Sequence, residues 1–174
     1  MKFLKIYSNK EVASGTSSTN NTTLTDASAA FTSTVNVGDV VFSTGGQSSG
    51  TIVSIDSDTV LTLSRDLGTI GSYKIYSATK FVNPRMIIID KMIAINTSYS
   101  TRADIIYAPN SGGDNIQLTL TASPVDVGLE MLLNAYIEEA LKSTLKPSNT
   151  VEVKLPVVST ANGALAVTSV TPVN

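Results

Sequence analysis

The chain predicts a mainly β fold of α+β type: an antiparallel sheet packed by one helix, with a small β-barrel of SH3-like or OB-like kind inserted into it. Three observations carry that prediction. Only the stretch Ser123 to Lys146 repeats apolar residues at helical spacing. Most of the rest alternates apolar and polar residues in short runs separated by Gly, Ser, Asn and Asp. Several such runs crowd together between Thr22 and Ser77 with no helix among them, as small barrels require.

Taken in order, Met1 to Ser8 sets Leu4 and Ile6 in alternation and reads as a short strand. Lys10 to Asn21 is polar and low in complexity and reads as a linker or exposed excursion. In the next unit TTLTDASAAF ends in a loop, VNVGDVVFS is a strand entered by a Gly-Asp turn, and GGQSSG is a flexible turn. Ile52, Val53 and Ile55 then face Val60, Leu61 and Leu63 across Asp56-Ser57-Asp58, a hairpin signal, and SYKIYS closes the set. SATKF, Ser77 to Phe81, is the return crossing.

Beyond it, Met92 to Ser98 and Arg102 to Tyr107 read as antiparallel partners, and Ile116 to Thr121 as a strand with one buried face. The helix that follows has Ser123 as N-cap, Pro124 at its first position and Asp126 at its positive end, with Lys142 and Lys146 at the other end and Pro147 as stop. Leu129, Leu132, Leu133, Tyr136, Ile137, Ala140, Leu141 and Leu145 make its apolar face, and Glu138 can pair with Lys142. Thr150 to Val158 points Val151, Val153 and Leu155 inward. The predicted organisation is a discontinuous sheet-and-helix base of residues 1–10 and 81–158, an inserted barrel of residues 11–80, and a terminal arm or hairpin of residues 159–174. The tail is apolar and uncharged, so an arm packing on another subunit is favoured, with Leu165, Val167 and Val170 as candidate partner contacts.

Composition narrows the chemistry. The chain has no cysteine, histidine or tryptophan, which removes disulfides, Cys/His zinc sites, thiol nucleophiles and His-based triads. A net charge of -2 argues against a nucleic-acid footprint. No apolar run is long enough for a membrane span, and MKFLKIYS does not read as a signal peptide, so a soluble product of a cytoplasm is expected. Gly45 to Thr51 has the glycines of a phosphate loop but lacks its lysine and reads as a turn. Asp56, Asp58 and Asp66 lack the spacing of a calcium loop. Glu138 and Glu139 point about 100° apart on a helix and cannot act as a facing pair. Arg85, Lys91 and Arg102 with Tyr99 and Tyr107 form the one candidate surface for single-stranded nucleic acid. The expectation is of no enzyme, no cofactor and no metal.

The segment TTLTDASAAFTSTVNVGDVVFSTGGQSSGTIVSIDSDTVLTLS resembles a β module recurring in structural proteins of tailed bacteriophages. The remainder, from MKFLKI through MIIIDKMIAINTSYSTRADIIYA, NIQLTLTA, GLEMLLNAYIEEAL and NTVEVKLP, is similar to short virion proteins of marine and crAss-like phages. The resemblance implies a capsid auxiliary or decoration protein, on the virion surface, bound to the major capsid protein or other virion subunits through its base and terminal arm. It implies a homo-oligomer or symmetric array, without nucleic acid or membrane. A neck, tail or host-glycan-recognition component is the alternative, and a small nucleic-acid-binding barrel the second.

Overall fold

Two long strands, β1 (Phe3–Ser17) and β6 (Gly71–Ile88), pair antiparallel along almost their whole length and carry the architecture. The computed structural model describes residues 3–18, 21–44, 48–88, 92–97, 101–107, 115–121, 129–142, 150–160 and 163–173. One end of the ribbon feeds a core in the base, through Leu4, Ile6 and Ile87. The other end feeds a separate core in the inserted module, through Tyr73 and Ile75 with Val12 and Ala13 packed beside them.

The polar run after Lys10 is therefore strand and not linker, since β1 extends to Ser17. Its composition conceals this because the ladder is made by backbone groups, which Glu11 to Ser17 offer to residues 71–76 whatever their side chains. The crossing between the cores is an irregular stretch of the ribbon. Asn9 pairs with Phe81 and Glu11 with Tyr76, so residues 77–80 bulge from β6, with the Ser77 hydroxyl accepting bonds from the Thr79 and Lys80 amides. A second irregularity, between the Ile6–Arg85 and Ser8–Val82 pairs, holds Asn83 at φ 49° and Pro84, where no ladder N–H is needed.

The module adds β2 (Thr23–Thr25), a one-turn helix α1 (Phe31–Thr34), β3 (Val40–Ser43), β4 (Ser48–Ser57) and β5 (Val60–Leu63). The predicted hairpin is present, with Ile52 opposite Leu63 and Ile55 opposite Leu61, and its turn tightens to Asp58 and Thr59. A loop is expected before Thr32; instead α1 places Phe31, fully buried, 6.2 Å from the Tyr73 ring. Leu24, Val41, Ile52, Leu61 and Ile70 complete the core, each contributing about 1.5–3 kcal/mol on burial.

In the base, β7 (Met92–Asn96), β8 (Arg102–Tyr107), β9 (Asn115–Leu120) and a late strand, β13 (Val167–Val173), form a sheet in the order β13-β9-β8-β7. The helix α2 (Leu129–Lys142) precedes β10 (Thr150–Val153), and β11 (Val158–Thr160) pairs with β12 (Gly163–Leu165) as a hairpin. Leu133 and Ile137 enter the base core, Leu132 and Tyr136 flank it, and Lys142 lies 3.1 Å from Glu138. The expected cap and stop residues Ser123, Pro124, Asp126, Lys146 and Pro147 lie outside the described residues.

The base departs from a single antiparallel sheet in two ways. β10 lies parallel to β1, Leu4 beside Val151, which is the sense open to a strand reached by a crossover connection. The base core is also enclosed by a second sheet, because the C-terminal strand β13 returns to pair with β9.

The larger sheet has the order β10-β1-β6-β3-β4-β5-β2 and remains open, so the strand ladder does not close into the expected barrel. Where closure would occur, side chains do the joining. The Asp26 carboxylate, just past β2, accepts bonds from the Ser28 amide at 2.9 Å, the Ser28 hydroxyl at 2.6 Å and the Tyr73 hydroxyl at 2.8 Å. The backbone of Thr16 on β1 also bonds it, and the Ser18 amide donates to the Thr25 carbonyl. These bonds, the Ser28 and Tyr73 hydroxyls foremost, hold the carboxyl below its ordinary range against the opposing effect of burial. Gly15 leaves the room: a β-carbon there would meet the Asp26 carboxylate and lie 2.8 Å from the Tyr73 hydroxyl.

Candidate interaction surface at the seam

Where the module meets the base, the segment from Val157 to Val170 does the work. Asn9 is buried at the crossing of the ribbon, donating to the Ser77 carbonyl at 2.8 Å and accepting from the Val167 amide at 2.9 Å. One side chain thus ties β1, β6 and β13. The Ala164 carbonyl accepts from the hydroxyls of Ser49 on β4 at 2.7 Å and of Thr121 after β9 at 2.8 Å. Thr121 also accepts from the Ala166 amide at 2.8 Å. Gly163, at φ 130°, lies so close to β4 that a β-carbon would come within 2.6 Å of the Ser49 hydroxyl and 2.7 Å of its carbonyl. A small third core of Val40, Tyr76, Ala164 and Ala166 seals the join, with Phe42 and Val157 beside it.

This corrects the reading of the tail as an arm. Leu165, Val167 and Val170 are 1%, 1% and 4% exposed and belong to the core of their own base, so they are not presented to a partner. The apolar, uncharged composition is satisfied internally: β12 lies against β4, β13 pairs with β9, and the alternation sends Val167 and Val170 inward. No feature short of the fold distinguishes that outcome from burial against a neighbour.

A cleft opens beside the seam. It encloses about 230 Å³ and is lined by Phe42, Thr44, Tyr76, Thr101, Thr119 and Thr168, with Leu120. Tyr76 is 8% exposed, and its hydroxyl has no hydrogen-bond partner among the described residues. Burial pushes its phenol above the ordinary value. Thr168 donates to the Thr119 carbonyl at 3.2 Å and Ser169 to the Thr119 hydroxyl at 2.9 Å, which fixes that wall. A second cavity, of about 300 Å³, adjoins Asp26, Phe31 and Tyr73.

The other candidates of the sequence resolve into local roles. Asp56 accepts from Ser54 and Thr62, both at 2.7 Å, Asp58 from Thr32, and Asp66 from the Gly68 amide at 2.7 Å; each secures a turn or strand end. Among the described residues no group of three His, Cys, Asp or Glu side chains is placed to hold a metal ion. Gly45, Gly46 and Gln47 lie outside the described residues, as do Lys91 and Tyr99 of the proposed nucleic-acid surface. Arg85 bonds the Val170 carbonyl at 3.3 Å and Arg102 lies 3.6 Å from Asp104. On β1 and β10, Lys5 and Lys154 each sit 5.2 Å from the Tyr7 ring, while Glu152 accepts from the Tyr7 hydroxyl at 2.8 Å. Glu152 is held below its usual range by that hydroxyl first and by Lys154 next.

Among the described residues no helix is long and apolar enough to cross a membrane. No protein-family model, curated protein or solved structure matches the chain.

Proposed function

We propose that the protein is a structural component of a tailed-phage virion, a decoration protein that binds the head shell through its base and holds the module away from it. The observation that supports this most is the continuity of β1 and β6 through both cores. A module on a linker would swing; one built on the same two strands as the base, and stitched again through Asn9, Ser49 and Gly163, is carried as a fixed projection. An 18-residue strand reaches about 60 Å when extended, so β6 has the length for such a projection. The segmental resemblance to virion proteins points the same way.

The binding surface in this reading is the base itself and not the tail. β10 and β7 end their respective sheets and have an unpaired ladder edge to offer a shell subunit, the usual means of strand addition. The test is the copy number of the protein in purified particles relative to the major shell protein. A near-stoichiometric ratio supports decoration. A handful of copies moves the protein to a neck, tail or vertex, and its absence from particles ends the structural reading.

A further inference from the structure

We propose that the cleft between module and base, framed by β3, β6, β9 and β13, binds a neutral saccharide. The residues lining it are all uncharged, so it offers nothing to the phosphate, carboxylate or ammonium groups of an ionic ligand. What it does offer is an aromatic ring, Phe42, the phenol of Tyr76 and the hydroxyls of four threonines. Rings meet the C–H faces of a sugar, and hydroxyls that donate and accept match its O–H groups. Tyr76 adds the observation that singles this cleft out. Its ring is built into the small core at the seam, yet its hydroxyl has no protein partner among the described residues, although a buried tyrosine hydroxyl normally finds one. The hydroxyl of Thr101 is likewise without a partner among the described residues. Two donors thus stand ready at one opening.

Size narrows the ligand. At about 230 Å³ the cleft is smaller than the ~300–1,000 Å³ of pockets that enclose drug-sized molecules, and it suits one sugar ring, with the remainder of a chain outside. Affinity for a single ring is expected in the ~1 mM range, raised by multivalency where many copies face one glycan surface.

The experiment is titration of the full-length, 15N-labelled protein with the methyl glycosides of glucose, galactose and N-acetylglucosamine, and separately with sialic acid. Expected are shifts confined to the amides of residues near 42–44, 76, 101, 119 and 168, produced by at least one neutral glycoside. Tyr76→Phe, which removes only the hydroxyl, should weaken that binding about fivefold. Thr168→Val and Phe42→Leu should weaken it as well, with spectra otherwise native. Absence of shifts with every neutral glycoside at an order of magnitude above ~1 mM overturns the proposal. So does binding that all three variants leave unchanged, or a response to sialic acid alone. The particle copy number reports on the virion reading separately, so either can fail without the other.

Discussion

Replacing Asp26 tests how the module is held closed. Its carboxylate is 6% exposed and gathers the amide and hydroxyl of Ser28, the hydroxyl of Tyr73 and the backbone of Thr16, at the one place where β1 and β2 meet without a ladder. Hydrogen bonds to a charged group contribute roughly 1.5–3 kcal/mol each when singly removed, but they are not additive when one acceptor serves all. Asp26→Ala also leaves the Tyr73 hydroxyl and the Thr16 amide to find water. About 3 kcal/mol is therefore expected. In a chain of 174 residues that lowers Tm by about 6–12 °C. Urea unfolding followed by circular dichroism gives the free energy. Hydrogen exchange localises it, because the Thr16 and Ser18 amides should lose protection before those of β8 and β9. Asp26→Asn should cost less, since the amide oxygen retains some of the bonds. The pH dependence has a definite sign. The folded carboxyl lies below its ordinary value of 3.8, so its contribution is complete above that pH and is lost as pH falls toward the folded value. Wild type should therefore converge on Asp26→Asn in acid. An Asp26→Ala protein within about 0.5 kcal/mol of wild type, with Thr16 still protected, would refute the idea that this carboxylate closes the module.

The remaining predictions address the seam and the core. Asn9→Ala strands the Ser77 carbonyl and the Val167 amide, and should destabilise by about 2–4 kcal/mol in urea unfolding. Gly163→Val places a branched side chain against the Ser49 backbone at φ 130°; proteolysis or hydrogen exchange should show β11 and β12 released while β13 stays paired with β9. Leu165→Ala should cost about 2–5 kcal/mol in the isolated protein, whereas Met131→Ser, at a site 77% exposed, should stay within about 0.5 kcal/mol; equal effects would contradict internal burial of the tail. Tyr73 has its phenol raised by burial first and by Asp26 next. Its contribution is thus complete below the ordinary value of 10.0 and is lost as pH climbs from there toward the folded value, a decline that Tyr73→Phe should flatten in alkaline unfolding curves.

What the sequence by itself determined is whatever depends on side-chain periodicity. The helix was legible because Leu132, Leu133, Tyr136 and Ile137 recur at three- and four-residue spacing, and Leu133 and Ile137 are the ones buried. The hairpin from Ile52 to Leu63 was legible because apolar residues flank a short polar turn. Alternation of Val151, Val153 and Leu155 likewise marked a half-buried strand. Tertiary structure alone decided the rest, and for one physical reason: pairing partners distant in sequence leave no mark on local composition. Glu11 to Ser17 is strand because residues 71–76 complete its ladder. β10 is parallel because the chain reaches it through a crossover. Asp26 closes a gap that only the meeting of β1 and β2 creates, and nothing near it in sequence announces Tyr73 or Thr16. The cleft is assembled from four strands whose threonines look alike in sequence. The tail shows the limit most plainly. An apolar, uncharged segment must be covered by something, and the hydrophobic effect, being non-directional, does not say whether by a neighbour or by the chain's own β4 and β9.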